Sequence, residues 1–429
     1  MKRANAMIDY QPVILPSIPD LHRIDVYEQH RGYQHIRKAI GMTPDEVINV
    51  VKASGLRGRG GAAFPTGLKW SFMPKETDKP KYLCVNGDES EPGSFKDRQI
   101  FEFNPHLMIE GILIAGWALG LRAAYIYIRG EYETWVRMVE AAVKDAYERG
   151  YIGERMKQTF GTDFAMDIYV HRGAGAYICG EESSLMNSIE GKRPYPRVKP
   201  PFPAQYGLWG CPTTINNVET IANVPVIIDR GPDWFKAIGA EKHPGPILYG
   251  ISGHVNKPGV YELPTGMLLT ELIHEVAGGV PGGKRIKMVI PGGSSMPPLR
   301  GDQLEGVRMD ADSLKEVGSA IGTAGIMVMD EDTDLTRVLT RITHFYKVES
   351  CGQCTPCREG TGWMLKVLHR LEHGDGASAD LDLLHSVASN IEGNTVCALG
   401  DAAAWPVRFT IERFRAELEA EIRAKSSHS

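Results

Sequence analysis

Three cysteines close together in the sequence have the spacing of metal or iron–sulfur ligands. Cys351, Cys354 and Cys357 lie in residues 349–361 (ESCGQCTPCREGT), with two residues between successive thiols. Such sites usually take four ligands, and the downstream segment NTVCALGDAAAWP supplies Cys397. Four thiolates suit either a [4Fe–4S] cluster or a Cys₄ zinc site, and spacing alone does not distinguish the two metals.

Helices are expected to bring these four cysteines together. From residue 333 onward the sequence shows no strand pattern, and Leu335, Leu339 and Tyr346 fall on one face of the first helical segment. Four such segments predict a four-helix bundle over residues 333–429. The three clustered cysteines lie between the first two helices and the fourth follows the third helix, so both connections are expected at the same end of the bundle.

The composition narrows the possible functions. The chain has 429 residues, of which 42% are hydrophobic and 24% charged, enough for two or three globular domains. Its formal net charge of -5 argues against nucleic acid as a partner. The most apolar stretch, residues 107–121, is shorter than a bilayer span and contains Glu110, so it predicts a buried helix without membrane insertion.

The N-terminus and the cysteine usage indicate a reducing compartment. Residues 1–12 lack the apolar core of a signal peptide, and we expect the chain to remain in the cytosol. Clustered cysteines there bind metal more often than they form disulfides. The remaining cysteines are expected in the core or in loops: Cys84, Cys179 and Cys211.

Two further kinds of structure precede the helical segment. In residues 1–245, Thr43, Pro44 and Glu46 have the pattern of a capping box that starts a helix, and KYLCVNGDE, RAAYIYIRG and DIYVHRG predict short parallel strands. This alternation predicts an α/β layer. Residues 246–332 show a ββαββ order, which predicts a small β-grasp-like domain.

A glycine-rich segment in the α/β region could bind a phosphate or a flat ring. In residues 55–70 (GLRGRGGAAFPTGLKW), Gly58, Gly60 and Ala63 fit G-x-G-x-x-A, but a helix and not a strand precedes them. An ordinary Rossmann loop is therefore not expected. Glycines still permit close backbone approach, and Lys69 adds positive charge. A flexible surface loop is the alternative interpretation.

Two acidic segments follow predicted strands. They are residues 86–98 (NGDESEPGSFKDR) and residues 171–185, which open a helix with Glu181 and Glu182. The carboxyl ends of parallel strands line the ligand crevice of such sheets, although acids in a first helical turn can also serve the helix dipole. Together with the glycine-rich segment they predict a nucleotide or flavin site, beside which His171 is expected to be structural.

Seven motifs, in order over residues 35–415, resemble those of the flavin-binding, NADH-oxidising subunit of respiratory complex I. They are GLRGRGGAAFPTGLKWSFMP, NGDESEPGSFKDR, GAGAYICGEESSLMNSIEG, KPPFPA, TINNVETIANVP, ESCGQCTPCREGT and CALGDAAAWP. The resemblance implies an FMN-binding α/β domain over residues 1–245, a ubiquitin-like β-grasp domain over 246–332, and a helical bundle carrying the iron–sulfur cluster over 333–429.

The resemblance also implies roles for individual residues. FMN is expected to contact Gly58, Gly60, Gly61, Lys69, Asn86, Asp88, Glu89, Ser90, Gly180, Glu181, Asn216, Asn217 and Thr220. NADH is expected to contact Phe64, Phe72, Glu91, Glu182, Lys199 and Phe202. The cluster ligands are expected to be Cys351, Cys354, Cys357 and Cys397, which by this resemblance favours iron over zinc.

The activity implied by the resemblance is oxidation of NADH by hydride transfer to FMN, with single electrons leaving through the [4Fe–4S] cluster toward quinone. FMN is the hydride acceptor, so no catalytic acid or base is required. The implied partners are a thioredoxin-like [2Fe–2S] subunit and a large multi-cluster iron–sulfur subunit. The implied location is the cytoplasmic, inner face of a bacterial plasma membrane, reached peripherally through the complex.

Two alternatives remain open from the sequence. Flavin (diaphorase) subunits of NAD-linked hydrogenases and formate dehydrogenases share most of the motifs. A non-catalytic scaffold with a Cys₄ zinc site is a hypothesis of a different class.

Two residues carry specific expectations. Ala63 stands where the family pattern more usually has glycine, which tightens the flavin loop. Glu91 is expected near the adenosine ribose, where its charge would repel the 2′-phosphate of NADPH.

Overall fold

The structure is a computed structural model in which residues 10–426 are described. Most of the segment that carries the expectation about a signal peptide lies outside these residues. Within residues 10–426, none of the helices combines the length and the apolar character needed to cross a membrane. The chain is described below as an N-terminal region (residues 10–245), a middle region (246–332) and a C-terminal region (333–426).

The N-terminal region contains a parallel sheet surrounded by helices. Its helices are α1 Ile24–Gln29, α2 Gln34–Ile40, α3 Pro44–Ala53, α4 Thr66–Ser71, α5 Asp97–Phe103, α6 Pro105–Leu119, α7 Glu133–Glu148, α8 Met156–Phe160, α9 Glu182–Ile189, α10 Val218–Arg230 and α11 Pro232–Lys236. Its strands are β1 Tyr82–Gly87, β2 Ala123–Ile128, β3 Asp167–Arg172 and β4 Thr213–Asn217, with the two-residue strands β5 Gly239–Ala240 and β6 His243–Pro244.

The four longer strands form a parallel sheet in the order β3-β2-β1-β4. The prediction of three parallel strands is confirmed, but the sequence analysis missed β4, a short strand with a polar composition (TTINN) that is nevertheless largely buried. Because the strands are parallel, the loops after β1, β3 and β4 leave the sheet at the same edge. The loops after β1 and β3 contain most of the two acidic segments, and the NNVET motif forms the end of β4 and the start of α10.

Local sequence explains the helices that position these loops. The predicted capping box is present at α3: the Thr43 hydroxyl accepts a hydrogen bond from the Glu46 backbone N–H at 3.3 Å, and the Glu46 carboxylate accepts one from the Thr43 N–H at 2.7 Å. The glycine-rich segment follows this helix. As predicted, α6 is a buried helix, apolar on nearly every side.

The middle region contains a five-stranded mixed sheet in the order β10-β9-β11-β7-β8. Its strands are β7 Pro246–Gly253, β8 Gly259–Pro264, β9 Ile286–Ile290, β10 Leu299–Arg300 and β11 Gly325–Asp330, and its helices are α12 Leu269–Glu271, which continues as a π-helical turn over Leu272–Val276, and α13 Ala311–Glu316. The central pair, β7 and β11, is parallel and the other pairs are antiparallel. The four predicted strands are present; β10 and α13 were not predicted.

The C-terminal region consists of helices that share one apolar core. They are α14 Leu335–Glu349, α15 Thr355–Glu372, α16 Ala379–Ile391 and α17 Leu399–Ser426. Leu339, Leu368, Leu384 and Ile411, one from each helix, are buried together in that core. The helical segments expected from apolar spacing are therefore present. The two connections that carry cysteines lie between α14 and α15 and between α16 and α17.

A buried carboxylate joins α6 to the first helices of the chain. Glu110 is fully buried and accepts hydrogen bonds from the Tyr27 hydroxyl at 2.6 Å and from the backbone N–H groups of His35 and Ile36 at 2.8 and 3.0 Å. Burial raises the pKa of Glu110 above its ordinary value. These bonds fix α1 and α2 against the helix that supports the sheet.

Glu110→Ala is therefore expected to reduce the free energy of unfolding by at least about 2 kcal/mol, because three buried donors lose their acceptor. Thermal unfolding measures the change. Glu148→Ala, an exposed glutamate at the end of α7, is the matched control and should change stability by less than about 0.5 kcal/mol. Equal losses in the two variants would contradict the assigned role.

Candidate functional site

The four cysteines meet at one end of the helices of the C-terminal region. Cys351 and Cys354 lie in the connection from α14 to α15, Cys357 is in the first turn of α15, and Cys397 lies just before α17. All four are free thiols and line the same cavity. The sequence prediction that the two connections come together is confirmed.

The surroundings of the four thiols fit a bound cation. Burial raises the pKa of Cys357 above its ordinary value and that of Cys397 to about 12, so both thiols would stay protonated without a positive partner. Cys354 occupies the N-cap position of α15, and its sulfur accepts a hydrogen bond from the Val396 backbone N–H at 3.3 Å. The donor set is that of a four-cysteine iron–sulfur or zinc site.

The glycine-rich segment packs against the start of α10. The Arg59 backbone N–H donates to the Thr220 hydroxyl at 2.8 Å, and a Cβ added to Gly60 would lie 3.0 Å from the Asn217 Cβ. Gly61 has a φ of 120°, where glycine is favoured, and a Cβ there would have no neighbour closer than 4.0 Å. The backbone at Gly61 therefore borders open space that a flat ring can approach.

The first acidic segment folds back on itself and on the second. The Asn86 side-chain amide donates to the Gly180 carbonyl at 2.8 Å, which joins the two loops. Asp88 is half-buried, its carboxylate accepts from the Ser90 hydroxyl at 3.2 Å, and desolvation of the carboxyl group raises its pKa to about 8. The Glu89 carboxylate accepts the backbone N–H groups of residues 96, 97 and 98, so it closes its own loop and is not a free ligand.

Other predicted flavin residues also have partners within the protein. Glu181 caps α9 by accepting hydrogen bonds from the backbone N–H groups of Ser183 and Ser184, both at 2.9 Å. Its carboxylate therefore stabilises the start of the helix, which was the alternative to a ligand contact. The Asn216 side-chain oxygen accepts from the Trp70 indole at 3.0 Å. The glycine-rich segment, the two acidic loops and the start of α10 are thus connected by hydrogen bonds at one edge of the sheet.

The sequence analysis missed a buried charge network beneath these loops. Lys96 lies 2.7 Å from both Asp97 and Glu219, and all three side chains are almost completely buried. Burial opposes the charge on Lys96, but the two acids outweigh it and hold its pKa above the ordinary value. Arg59, also buried, hydrogen-bonds His243 and the Pro244 carbonyl of β6, at the end of the N-terminal region. The available signal was the charge inside SFKDR, which leads into α5, and inside NNVET, which joins the end of β4 to the start of α10.

The predicted NADH residues fall into two groups. Phe64 and Phe72 are ring neighbours with centroids 6.2 Å apart. Phe64 is 44% exposed, Phe72 51% and Phe202 53%. Glu182 lies 2.5 Å from the Lys199 ammonium and 3.4 Å from that of Lys69. Burial alone would raise the pKa of Glu182, but the two lysines hold it below the ordinary value.

Glu91 forms the second group, at the junction of the three regions. Its carboxylate accepts hydrogen bonds from the Tyr177 hydroxyl at 2.5 Å and the Ser295 N–H at 2.7 Å, and from the Ser294 and Tyr346 hydroxyls at 3.2 and 3.4 Å. Sequence spacing gave no indication of these contacts.

The remaining candidates are structural. Cys84 and Cys179 are buried in the core and Cys211 is half-buried, as expected. His171 stacks on Tyr127, with ring centroids 5.2 Å apart.

Three protein families match successive parts of the chain. Residues 51–226 match the Nuo51 FMN-binding domain, residues 248–328 the SLBB domain, and residues 337–421 the NADH-ubiquinone oxidoreductase-F iron-sulfur binding region.

Similar proteins cover nearly the whole chain. The NADH-quinone oxidoreductase-F protein 2 of Rhizobium meliloti (strain 1021) is 53% identical over 416 residues, 96% of this chain and 98% of that protein. The NADH-quinone oxidoreductase-F protein of Rhodobacter capsulatus is 53% identical over 390 residues, 90% of each chain. Both relatives are subunits of NADH-quinone oxidoreductase.

Solved structures of NAD⁺-reducing [NiFe]-hydrogenase are also similar. The H₂-reduced state aligns with a TM-score of 0.80 at 35% identity and covers 89% of this chain, and the air-oxidized state aligns with a TM-score of 0.79 at 34% identity and covers 90%. This chain spans 63% and 66% of those hydrogenase chains.

The backbone at Ala63 explains why glycine suits this position. Its φ is 50°, in the left-handed region that costs other residues about 1–2 kcal/mol. Ala63→Gly should therefore leave the free energy of unfolding within about 0.5 kcal/mol of the parent, or raise it. Ala141→Gly, at an exposed position inside α7, is the control and should cost about 1 kcal/mol. Thermal unfolding compares the two; an equal loss in both would show that Ala63 is unstrained.

Proposed function

The chain belongs to the NADH-quinone oxidoreductase-F family, and we propose that the loops at the sheet edge hold FMN and NADH while the four cysteines hold the iron–sulfur cluster. The chain oxidises NADH, uses FMN and a [4Fe–4S] cluster, and works as one subunit of a larger NADH-quinone oxidoreductase complex that delivers the electrons to quinone. The observation that carries this function is a match at 53% identity over 98% of a relative in this family.

The FMN supplies the exchange between two-electron hydride chemistry and the one-electron chemistry of the cluster. The chain's own task is to bind and orient. We assign the flavin site to Gly58, Gly60, Gly61, Lys69, Asn86, Asp88, Glu89, Ser90, Gly180, Glu181, Asn216, Asn217 and Thr220. The open space at Gly61 and the hydrogen bonds that group these loops support this assignment. For Glu89 and Glu181, whose carboxylates have protein partners, the role is to shape the loops.

The adenosine half of NADH is assigned to Phe64, Phe72 and Phe202, and its polar groups to Lys199, Glu182 and Glu91. Exposed aromatic faces favour stacking on adenine, and ammonium groups favour phosphate oxygens. Glu182 sits between Lys69 and Lys199 and keeps both ammonium groups at the entrance to the site. No general acid or base is needed, because the hydride leaves NADH without proton transfer.

The cluster is assigned to Cys351, Cys354, Cys357 and Cys397. Cys354 and Cys357 are held at the N-terminus of α15, where the helix dipole stabilises thiolates. Tyr177 connects this end to the flavin loops: its backbone N–H donates to Glu349 at 2.9 Å, two residues before Cys351. The same residue hydrogen-bonds Glu91 through its hydroxyl.

The finer architecture is also a proposal. We assign an FMN/NADH-binding α/β domain to residues 1–245, a ubiquitin-like β-grasp domain to 246–332 and a four-helix bundle to 333–429. The mixed sheet with a parallel central pair and the shared core of α14–α17 support the last two. The ranges of the three matching families fall inside these limits.

Partner subunits are proposed to receive electrons next to the cysteines. Val348 and Val396 flank the cysteine loops and are 59% and 43% exposed, and Trp363 on α15 is 57% exposed. Large apolar side chains in such positions suit a protein interface. The proposed partners are a thioredoxin-like [2Fe–2S] subunit and a large multi-cluster iron–sulfur subunit. The proposed location is peripheral, on the cytoplasmic face of a bacterial plasma membrane.

The flavin subunit of an NAD-linked hydrogenase or formate dehydrogenase is the second candidate. The backbone similarity to NAD⁺-reducing [NiFe]-hydrogenase favours it. The higher identity and near-complete coverage of the NADH-quinone oxidoreductase-F relatives favour the first candidate.

The visible spectrum of the purified chain, with iron analysis, tests the function. We expect a flavin band that NADH bleaches and iron bound to the chain. A colourless protein that contains zinc would refute the enzyme interpretation. The non-catalytic scaffold with a Cys₄ zinc site would then be the remaining hypothesis.

Cys354→Ala is expected to abolish electron transfer to the rest of the complex, because the cluster loses a ligand. NADH should still reduce an artificial acceptor that takes its electrons directly from the flavin. Steady-state rates with the two acceptors measure the split, and circular dichroism checks that the helices remain folded. Cys211→Ala, outside the cysteine cavity, should keep both rates. Unimpaired transfer to the complex by a folded Cys354→Ala variant would contradict the ligand assignment.

Glu91→Gln is expected to improve the use of NADPH relative to NADH, because it removes a negative charge from the proposed ribose site. At about 4 Å the repulsion is about 1–4 kcal/mol, which corresponds to a roughly tenfold to thousandfold change in preference. The ratio of kcat/KM values measures it, with Glu102→Gln on α5, whose carboxylate accepts from the Trp135 indole, as control. An unchanged ratio in Glu91→Gln would remove Glu91 from the specificity site.

A further inference from the structure

A cluster of potential metal ligands lies away from the flavin and cysteine sites. His369 and Glu372 are in the last turn of α15, and His373 caps the C-terminus of that helix. One donor atom from each of the three residues lies within 4.8 Å of the other two. The two histidines are exposed and Glu372 is half-buried, so the cluster is open to solvent.

The helix itself produces this convergence. Residues at positions i, i+3 and i+4 share one helical face, so His369, Glu372 and His373 project from the same side of α15. The His369 Nδ1 atom lies 3.9 Å from a Glu372 carboxylate oxygen, and the two imidazole centroids are 6.1 Å apart.

A hydrogen bond orients one of the two imidazoles. The His373 Nδ1 atom lies 2.7 Å from the His369 backbone carbonyl oxygen, which can only accept, so Nδ1 carries the proton. In the neutral ring the lone pair is then on Nε2. Metal-ligating histidines usually have this arrangement, with the second ring nitrogen donating to a carbonyl or carboxylate.

The electrostatic surroundings also favour a cation. The last carbonyl groups of a helix carry partial negative charge, and this cluster is at the C-terminal end of α15. The neighbouring guanidinium of Arg370 is paired with Asp380 and so is partly neutralised.

We propose that His369, Glu372 and His373 form a surface site for a divalent transition-metal ion such as Zn²⁺ or Ni²⁺. Two imidazoles and a carboxylate suit these ions, whereas Mg²⁺ and Ca²⁺ prefer oxygen ligands alone. Water completes the coordination.

The site acts on stability and not on electron transfer. It is at the opposite end of α15 from Cys357, about 18 Å away along the helix axis. A bound ion joins the last turn of α15 to its cap and so stabilises the helix whose first turn carries two of the proposed cluster ligands.

The test titrates Ni²⁺ into the full chain, purified without an affinity tag and with flavin and iron bound. Calorimetry should show one site in the parent, and His373→Gln or His369→Gln should weaken it roughly tenfold or more. His344→Gln, which removes an exposed histidine from α14, is the matched control and should bind as the parent does. Mg²⁺ should give no heat at the same concentrations.

Two outcomes would overturn the proposal: no Ni²⁺ binding by the parent, or equal binding by the parent and both site variants. The second outcome would assign the ion elsewhere, for example to cysteine thiols. A second readout is the unfolding temperature, which should rise with Ni²⁺ in the parent and in His344→Gln but not in His373→Gln. Unchanged iron content in all variants shows that the cysteine site was not disturbed.

Discussion

The buried carboxylate of Glu91 is the interaction on which the arrangement of the three regions depends. A buried charge is costly unless hydrogen bonds surround it. Glu91 is 9% exposed, and its partners come from every region: Tyr177 from the N-terminal region, Ser294 and Ser295 from the middle region, and Tyr346 from α14. All four must be in place together, so the carboxylate fixes α14 against the two acidic loops.

A second buried charge network supports the flavin side of this junction. Lys96 pairs with both Asp97 and Glu219 below the acidic loops, and the Glu219 carboxylate also accepts the Leu248 N–H of β7 at 2.9 Å. Acidic sequences such as NGDESEPGSFKDR therefore do not form a solvated surface. Much of their charge is used to close loops and to join regions, and this leaves backbone and selected side chains for the proposed cofactor and substrate contacts.

Local patterns in the sequence predicted a large part of this structure. The capping box at Thr43, the buried helix around Glu110 and the helices that bring Cys397 to the other cysteines follow from spacing over a few residues. The contacts that define the junction join residues up to 255 positions apart, and no local period encodes them. Strand β4 was missed because its short polar sequence is stabilised by pairing with β1 and by burial. The protein partners of Glu89 were likewise invisible, because its sequence position is the same whether it binds a ligand or a backbone. For Glu181 the sequence left the ligand and the helix-terminus alternatives open, and its carboxylate caps α9.

Electrons taken from NADH in the N-terminal region are proposed to reach the cluster held by the four cysteines of the same chain. The most direct measurement is electron paramagnetic resonance of the holo chain, frozen after addition of NADH, with the flavin band followed in the same sample. We expect bleaching of the flavin to be accompanied by the signal of a reduced [4Fe–4S] cluster. A bleached flavin with iron present but no reduced-cluster signal would contradict it.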